Sequence, residues 1–108
     1  MSGQQLKGHL EPLVMAILEA GPAHGYAIID SLRVSSGGVF DLPEGTVYPA
    51  LHRLEASRLV TSRSEVVDGR QRRVYRLSAA GRRSLVQHRA SWREFSSTVT
   101  RILNVSPT

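Results

Sequence analysis

The spacing of apolar residues changes twice along the chain, and this limits the possible folds more than any other feature. Up to about residue 58, apolar residues recur at spacings of three and four, as in amphipathic helices. The segments "LVTSRSEVV" (59–67) and "RRVYRLS" (72–78) are instead rich in β-branched and aromatic residues. Asp68-Gly69 lies in the connection between them, and Asp-Gly is a strong signal for a β-hairpin. Helical spacing returns at residue 79 and continues to about residue 103.

Three helices are predicted before the hairpin. The first lies within residues 6–20 and the third within Pro43–Arg58, whose first turn could start as late as Thr46. The second spans His24–Val34, and its apolar positions are Tyr26, Ile28, Ile29 and Leu32. Ser78 is the expected N-cap of the long last helix.

This order of elements predicts a mainly α fold with a small β-hairpin. It is a winged helix-turn-helix (residues 1–78) followed by a long C-terminal dimerisation helix (residues 79–108). The hairpin is the wing, and the third helix is the recognition helix. If Thr46 caps that helix, Pro49 is its third residue, where a missing N–H costs little. The same end of the helix contacts base edges in helix-turn-helix proteins.

The charge of the chain favours a polyanionic partner. The 108 residues suit one domain, and their formal net charge is +5. Residues 59–77 contain five arginines and only two acidic residues. This excess of positive charge favours a nucleic-acid partner over a protein partner for a winged-helix module. The chain has no cysteine, no signal-peptide core near its start and no apolar run of membrane-spanning length. A soluble, cytoplasmic protein without membrane contact is therefore expected.

Three segments resemble the PadR family of transcriptional regulators. They are "ILEAGPAHGYAI" (17–28), "GTVYPALHRLEASRLV" (45–60) and "RRVYRLSAAGRRSL" (72–85). The second is similar to the family pattern GTLYPxLxRLExxGLI, from which it departs at Arg58, where the family usually has a glycine that ends the helix. The resemblance implies a dimeric winged-helix protein, usually a repressor, which a small molecule releases from DNA. A single C-terminal helix is similar to the smaller of the two PadR size classes.

The candidate DNA contacts lie on the recognition helix and the wing. By resemblance, Thr46, Tyr48 and Pro49 lie near the DNA, and His52 and Arg53 follow them. Arg53 could contact a phosphate or a guanine, or it could pair with Glu55. Wing arginines enter the minor groove or contact phosphates. The complete set of predicted contacts to double-stranded DNA is Thr46, Tyr48, Pro49, His52, Arg53, Arg70, Gln71, Arg72 and Arg73.

The last helix carries a stripe with heptad spacing, which we call the C-terminal stripe. It consists of Leu85, His88, Trp92, Phe95, Val99 and Ile102. A projecting helix cannot bury this stripe alone, so the stripe predicts a homodimer whose symmetry matches a palindromic operator. Trp92 could anchor the dimer, or it could stack on a flat hydrophobic effector together with Phe95 and His88.

The alternatives to a small-molecule-responsive regulator are weaker. The four histidines (His9, His24, His52 and His88) have no local metal-ligand spacing, so a divalent-metal sensor would need to assemble in three dimensions, with Glu11 or Glu94. No required cofactor is expected. The chain lacks a nucleophile elbow, a useful carboxylate pair and a phosphate loop, which disfavours an enzyme. Few aromatic residues are available to stack on RNA bases.

Overall fold

The computed structural model describes Leu6 and residues 8–104. Its helices include α1 (Leu10–Glu19), α2 (Gly25–Ser35), α3 (Glu44–Ala56) and α4 (Ala79–Leu103). Three strands are β1 (Ala23–His24), β2 (Val60–Val67) and β3 (Arg70–Leu77). The predicted winged helix-turn-helix and long last helix are thus both present. Residues 1–5, 7 and 105–108 lie outside the described residues, so the predictions for residues 1–78, 79–108 and the first helix are not covered at these positions.

The wing is the antiparallel hairpin β2–β3. Its register pairs Val60 with Leu77 at the base and Val67 with Arg70 at the tip. The connecting residues Asp68 and Gly69 have φ values of 52° and 76°, which suits a two-residue type I′ turn. The turn is shorter than the four-residue connection expected from the sequence, because Arg70 and Gln71 belong to β3.

A third strand was not predicted. β1 pairs antiparallel with β3, through Ala23 with Tyr75 and His24 with Val74, so the sheet order is β1-β3-β2. The two-residue strand leads directly into α2. His24 is also the N-cap of α2, where its Nδ1 accepts a hydrogen bond from the Ala27 N–H at 3.3 Å. The start of α2 is therefore fixed against the wing.

The core lies where α1, α2 and α3 meet the base of the wing. Its most deeply buried side chains are those of Val14, Met15, Leu18, Ile28, Val47, Leu51, Leu54 and Val60. Tyr75 and Leu77 lie two positions apart on β3, and both face this core. Within the described residues, no helix is long and apolar enough to cross a membrane.

Helix α4 starts beside the core and then leaves it. Ser78 caps it as predicted, accepting a hydrogen bond from the Gly81 N–H at 3.0 Å. Arg89 makes a two-point ion pair with Glu19 of α1, at 3.0 and 2.9 Å. A 25-residue helix is about 37 Å long, which accounts for the elongated outline of 52 × 28 × 21 Å.

Candidate nucleic-acid interface

The recognition helix α3 starts at the early end of the predicted range and not at Thr46, the latest start that the sequence allowed. Pro43 is its N-cap residue and Glu44 its first residue, so Thr46 lies inside the helix and does not cap it. Pro49 is the sixth helical residue and not the third. The prediction that its missing N–H costs little was therefore wrong, because at this position the proline leaves the Gly45 carbonyl without its usual i+4 donor.

One face of α3 is buried, and the other contains the predicted contact residues. Val47, Ala50, Leu51 and Leu54 are inaccessible to solvent. Pro49, His52 and Arg53 are exposed, while Thr46 and Tyr48 are half-buried. The structure thus brings all five predicted α3 residues to the part of the helix that remains accessible to a ligand.

Tyr48 packs closely against the first residue of α2. A Cβ atom on Gly25 would overlap the Tyr48 hydroxyl and ring, so any side chain at position 25 would displace the tyrosine. Burial is the largest cause of the raised pKa of the Tyr48 phenol, followed by the nearby Glu44 carboxylate. Gly25 therefore lets α3 lie close to α2 with the tyrosine between them.

Arg53 has a different ion-pair partner from the one considered from the sequence. Its Nε lies 3.2 Å from Oε2 of Glu11 on α1, and its side chain is 58% exposed. Glu55, the partner suggested by proximity in sequence, instead accepts a hydrogen bond from the Ser62 hydroxyl at 2.6 Å. A DNA phosphate would therefore compete with Glu11 for the Arg53 guanidinium.

The four polar residues predicted at the wing tip lie on β3. Gln71 Oε1 accepts a hydrogen bond from the Ser64 hydroxyl at 2.6 Å, and Arg73 Nη1 donates to Ser62 Oγ at 3.4 Å. Arg70 is exposed next to the turn. Arg72 turns towards α2, where its guanidinium carbon lies 5.8 Å from the centre of the Tyr26 ring.

Tyr26 belongs to this surface, although the sequence suggested that it was an apolar residue of the second helix. It is 55% exposed, so this apolar position is not part of the buried face of the helix. The neighbouring Glu44 carboxylate is the main cause of the raised pKa of its phenol. The helical spacing alone could have indicated exposure, since the buried positions Ile28 and Leu32 lie on a different face.

A cleft of about 160 Å³ joins the wing to the helices. Its walls come from the end of β1, the start of α2, α3 and β3, and its lining residues are His24, Gly25, Tyr26, Tyr48, Gln71, Arg72 and Arg73. Phenol hydroxyls, an amide and two guanidinium groups can all donate to phosphate oxygens. The structure therefore brings two of the wing arginines and a recognition-helix tyrosine into one polar cleft.

The C-terminal stripe is divided between the core and the surface. Leu85 is only 2% exposed because it packs in the core of its own chain, so its prediction as a dimer contact was wrong. Trp92, Phe95 and Ile102 are 54–78% exposed. His88 is also exposed, and Val99 is half-buried.

Trp92 lines an apolar cleft between α1 and α4. The cleft has a volume of about 390 Å³, and its other lining residues are Leu6, Gly8, His9, Pro12, Leu13, Phe40 and His88. His9 meets the Trp92 ring edge-on, with 5.5 Å between ring centres, and the centre of the Phe95 ring lies 6.1 Å from that of Trp92. Among the residues that the structure describes, no three His, Asp or Glu side chains come together as a metal-binding group.

Comparison with known proteins identifies the family. The model of the PadR-like family of transcriptional regulators matches residues 14–87, which include α2, α3 and the whole wing. The chain belongs to this family. PadR-like proteins are transcriptional regulators with a DNA-binding winged-helix fold and are not enzymes.

Individual relatives agree with this assignment. The chain is 53% identical over 55 residues to the transcriptional regulator Rv3488 of Mycobacterium tuberculosis, a match that spans 51% of each chain. A PadR-like transcription factor from Bacteroides fragilis is 35% identical, with a TM-score of 0.76 over 92% of this chain and 94% of that one. A PadR-like regulator from Bacillus cereus is 28% identical, with a TM-score of 0.83 over 96% and 100%.

Proposed function

We propose that this PadR-like protein is a repressor that binds a palindromic operator as a homodimer. In each subunit, α3 lies in the major groove, where Thr46, Pro49, His52 and Arg53 face base edges or the adjoining phosphates. The wing arginines contact phosphates or enter the neighbouring minor groove. Most of the binding free energy comes from the cationic surface, and the sequence preference comes from α3.

The observation that carries this proposal is the continuity of the surface. Tyr48 of α3 lines the same cleft as Arg72 and Arg73 of β3, which supports a single duplex contacting both elements at once. A winged-helix module for protein partners would not need five arginines between residues 59 and 77.

The homodimer is supported by the outer half of α4. Trp92, Phe95 and Ile102 expose large apolar surfaces on a helix that extends beyond the core. Apolar side chains at heptad spacing are buried when a second helix packs against them. Two-fold symmetry would then present two copies of α3 to the two halves of a palindrome.

A flat hydrophobic effector is proposed for the cleft beside Trp92. The cleft is lined mostly by apolar and aromatic side chains, and its volume of about 390 Å³ suits a small molecule. Because the cleft adjoins the surface proposed for dimerisation, an occupant could change the relative orientation of the two DNA-binding domains. Release from the operator would follow from that change.

The test is fluorescence anisotropy with labelled DNA from upstream of the gene itself, at stepped salt concentrations. If three arginines per subunit contact phosphates, log K should fall with log salt with a slope of about −5 or steeper. Replacing both Arg72 and Arg73 by alanine removes four cations from the dimer and should reduce the steepness of the slope by about 3.5. Arg53→Ala should abolish preference for the operator without dissociating the dimer.

The matched control is the pair Arg82→Ala and Arg83→Ala. These adjacent, exposed arginines lie on α4, outside the wing and α3, so their loss should leave most of the salt slope in place. A scrambled duplex of the same length controls for sequence preference. Equal binding of both duplexes, or a wing variant that binds as tightly as the parent protein, would contradict the proposed interface.

A further inference from the structure

Tyr26 lies where three elements of the DNA-binding domain meet. It is the second residue of α2, while Glu44 beside its hydroxyl is the first residue of α3. The guanidinium of Arg72, on β3, lies 5.8 Å from the centre of its ring. The ring thus connects the wing with the start of the recognition helix, although the packing of the core does not require it.

The geometry restricts the position of the Arg72 guanidinium. An arginine side chain on an exposed strand has many rotamers, and a cation over an aromatic face favours a subset of them. The Glu44 carboxylate is the main cause of the raised pKa of the Tyr26 phenol, which indicates that the start of α3 lies near this ring. Arg72 remains half-buried at the cleft, so its remaining N–H groups can still bind an anion.

We propose that Tyr26 is a positioning residue for DNA recognition, whose ring holds the Arg72 guanidinium at the cleft so that it binds a backbone phosphate beside the first turn of α3. The inference rests on the proposed function, since it assigns one of the phosphate contacts in that interface. Arg72 binds the phosphate, and Tyr26 acts only through Arg72. The contact is therefore made close to α3 and not at the tip of the wing.

Glu44 has a definite part in this arrangement. Its carboxylate would repel a phosphate, and the nearby phenol and guanidinium offset that repulsion. The charged groups around the cleft are thus Arg72 and Arg73 on the wing and Glu44 on α3. The balance is cationic, which suits one phosphate.

A double-mutant cycle on operator DNA tests the proposal with the full-length chain. Tyr26→Leu removes the aromatic face but keeps an apolar side chain, and Tyr26→Phe keeps the face but removes the hydroxyl. A cation–π contact at an exposed site accounts for about a two- to fivefold effect per subunit, hence about five- to thirtyfold for a dimer. Tyr26→Leu should weaken operator binding by this factor, and Tyr26→Phe should retain most of the affinity.

The decisive comparison is made in the Arg72→Ala background. There, Tyr26→Leu should have little further effect, because the arginine that it positions is absent. If Tyr26→Leu instead weakens binding equally with and without Arg72, Tyr26 has a role of its own or a purely structural one, and the proposal is wrong. The same conclusion follows if Tyr26→Leu leaves the affinity unchanged.

Two further measurements separate this inference from its premises. Thermal unfolding of each variant shows whether a loss of binding reflects a loss of folded protein. The affinity of the parent protein for operator and scrambled DNA tests the proposed function independently of Tyr26. Operator-specific binding by the parent, without coupling between Tyr26 and Arg72, would overturn the positioning role alone.

Discussion

Arg58 adopts a backbone conformation that normally favours glycine. Its φ is 62°, and it follows the C-cap residue Ser57 of α3. The Leu59 N–H donates to the Leu54 carbonyl and the Arg58 N–H donates to the Glu55 carbonyl, both at 3.0 Å. These two bonds form a Schellman motif, in which the left-handed residue is most often glycine. The helix thus ends as it would with glycine, but the residue in the left-handed conformation carries a side chain, which strains its backbone.

Replacing this arginine should stabilise the protein. Arg58→Gly removes the strain that a side chain causes in the left-handed conformation. The greater freedom of glycine in the unfolded chain offsets part of this stabilisation. We expect a gain of about 1 kcal/mol in the free energy of unfolding, measured by urea denaturation. Arg58→Ala keeps the strained conformation and is the control, for which no comparable gain is expected. Equal stability of the glycine variant and the parent would contradict the expected gain, because it would mean that the strain at Arg58 is no larger than the entropic cost of the glycine.

The residue types on α3 could be predicted from the sequence, but their partners could not. The exposure of His52 and Arg53 follows from helical spacing around the buried Leu51 and Leu54. The pairing of Arg53 with Glu11 joins residues 42 positions apart, which no local pattern encodes. Tyr26 was missed for the same reason, since its connection to Arg72 depends on how the wing folds back onto α2.

Elements with strong local signals were predicted well. The Asp-Gly turn and the Ser78 cap each have a short-range physical cause. β1 could not be predicted in this way, because two residues are too few to show the alternation of a strand. It is a strand only through its pairing with β3. The predicted span Pro43–Arg58 contains the observed start of α3, but Thr46 does not cap the helix, because Pro43 provides the extended backbone of the N-cap.

The two-point ion pair between Glu19 and Arg89 connects the DNA-binding domain to α4. The hydrogen bond from Arg89 is the largest cause of the lowered pKa of Glu19, whose ordinary value is 4.5. Because the pKa of Glu19 is lower in the folded state, the ion pair stabilises the folded protein fully at pH values above the ordinary pKa. This stabilisation is lost as the pH falls through the lowered pKa of the folded state. Below about pH 4.5 the parent protein should therefore lose stability more steeply than Glu19→Gln.

The measurement is the unfolding midpoint in urea between pH 3 and 7, at one protein concentration. Because the partners act as a pair, Arg89→Gln should flatten the pH dependence as Glu19→Gln does, and the double variant should add little. Both groups are at the surface, so the effect should shrink with added salt. A pH dependence unchanged by either substitution would mean that the ion pair does not stabilise the position of α4.

At the scale of the molecule, the C-terminal stripe has two roles. Its first residue, Leu85, anchors α4 on the core, and its outer residues extend beyond the core. Heptad spacing cannot distinguish these roles, because the same a/d pattern continues from an intramolecular contact into a surface that remains exposed. The spacing therefore could not show the point at which the chain's own core ends.

The division of the stripe leads to a prediction about Trp92. If its exposed ring anchors the partner subunit, Trp92→Ala should weaken the dimer by at least about 2 kcal/mol, a rise of about 30-fold in the dimer dissociation constant. Sedimentation equilibrium over a range of concentrations measures that constant. Val86→Ala is the control, because Val86 is equally exposed on α4 but lies outside the stripe. If the Trp92→Ala variant forms a dimer as tight as the parent, Trp92 is not part of the dimer interface. If that dimer also no longer responds to an effector, the ring of Trp92 binds the effector in the cleft between α1 and α4.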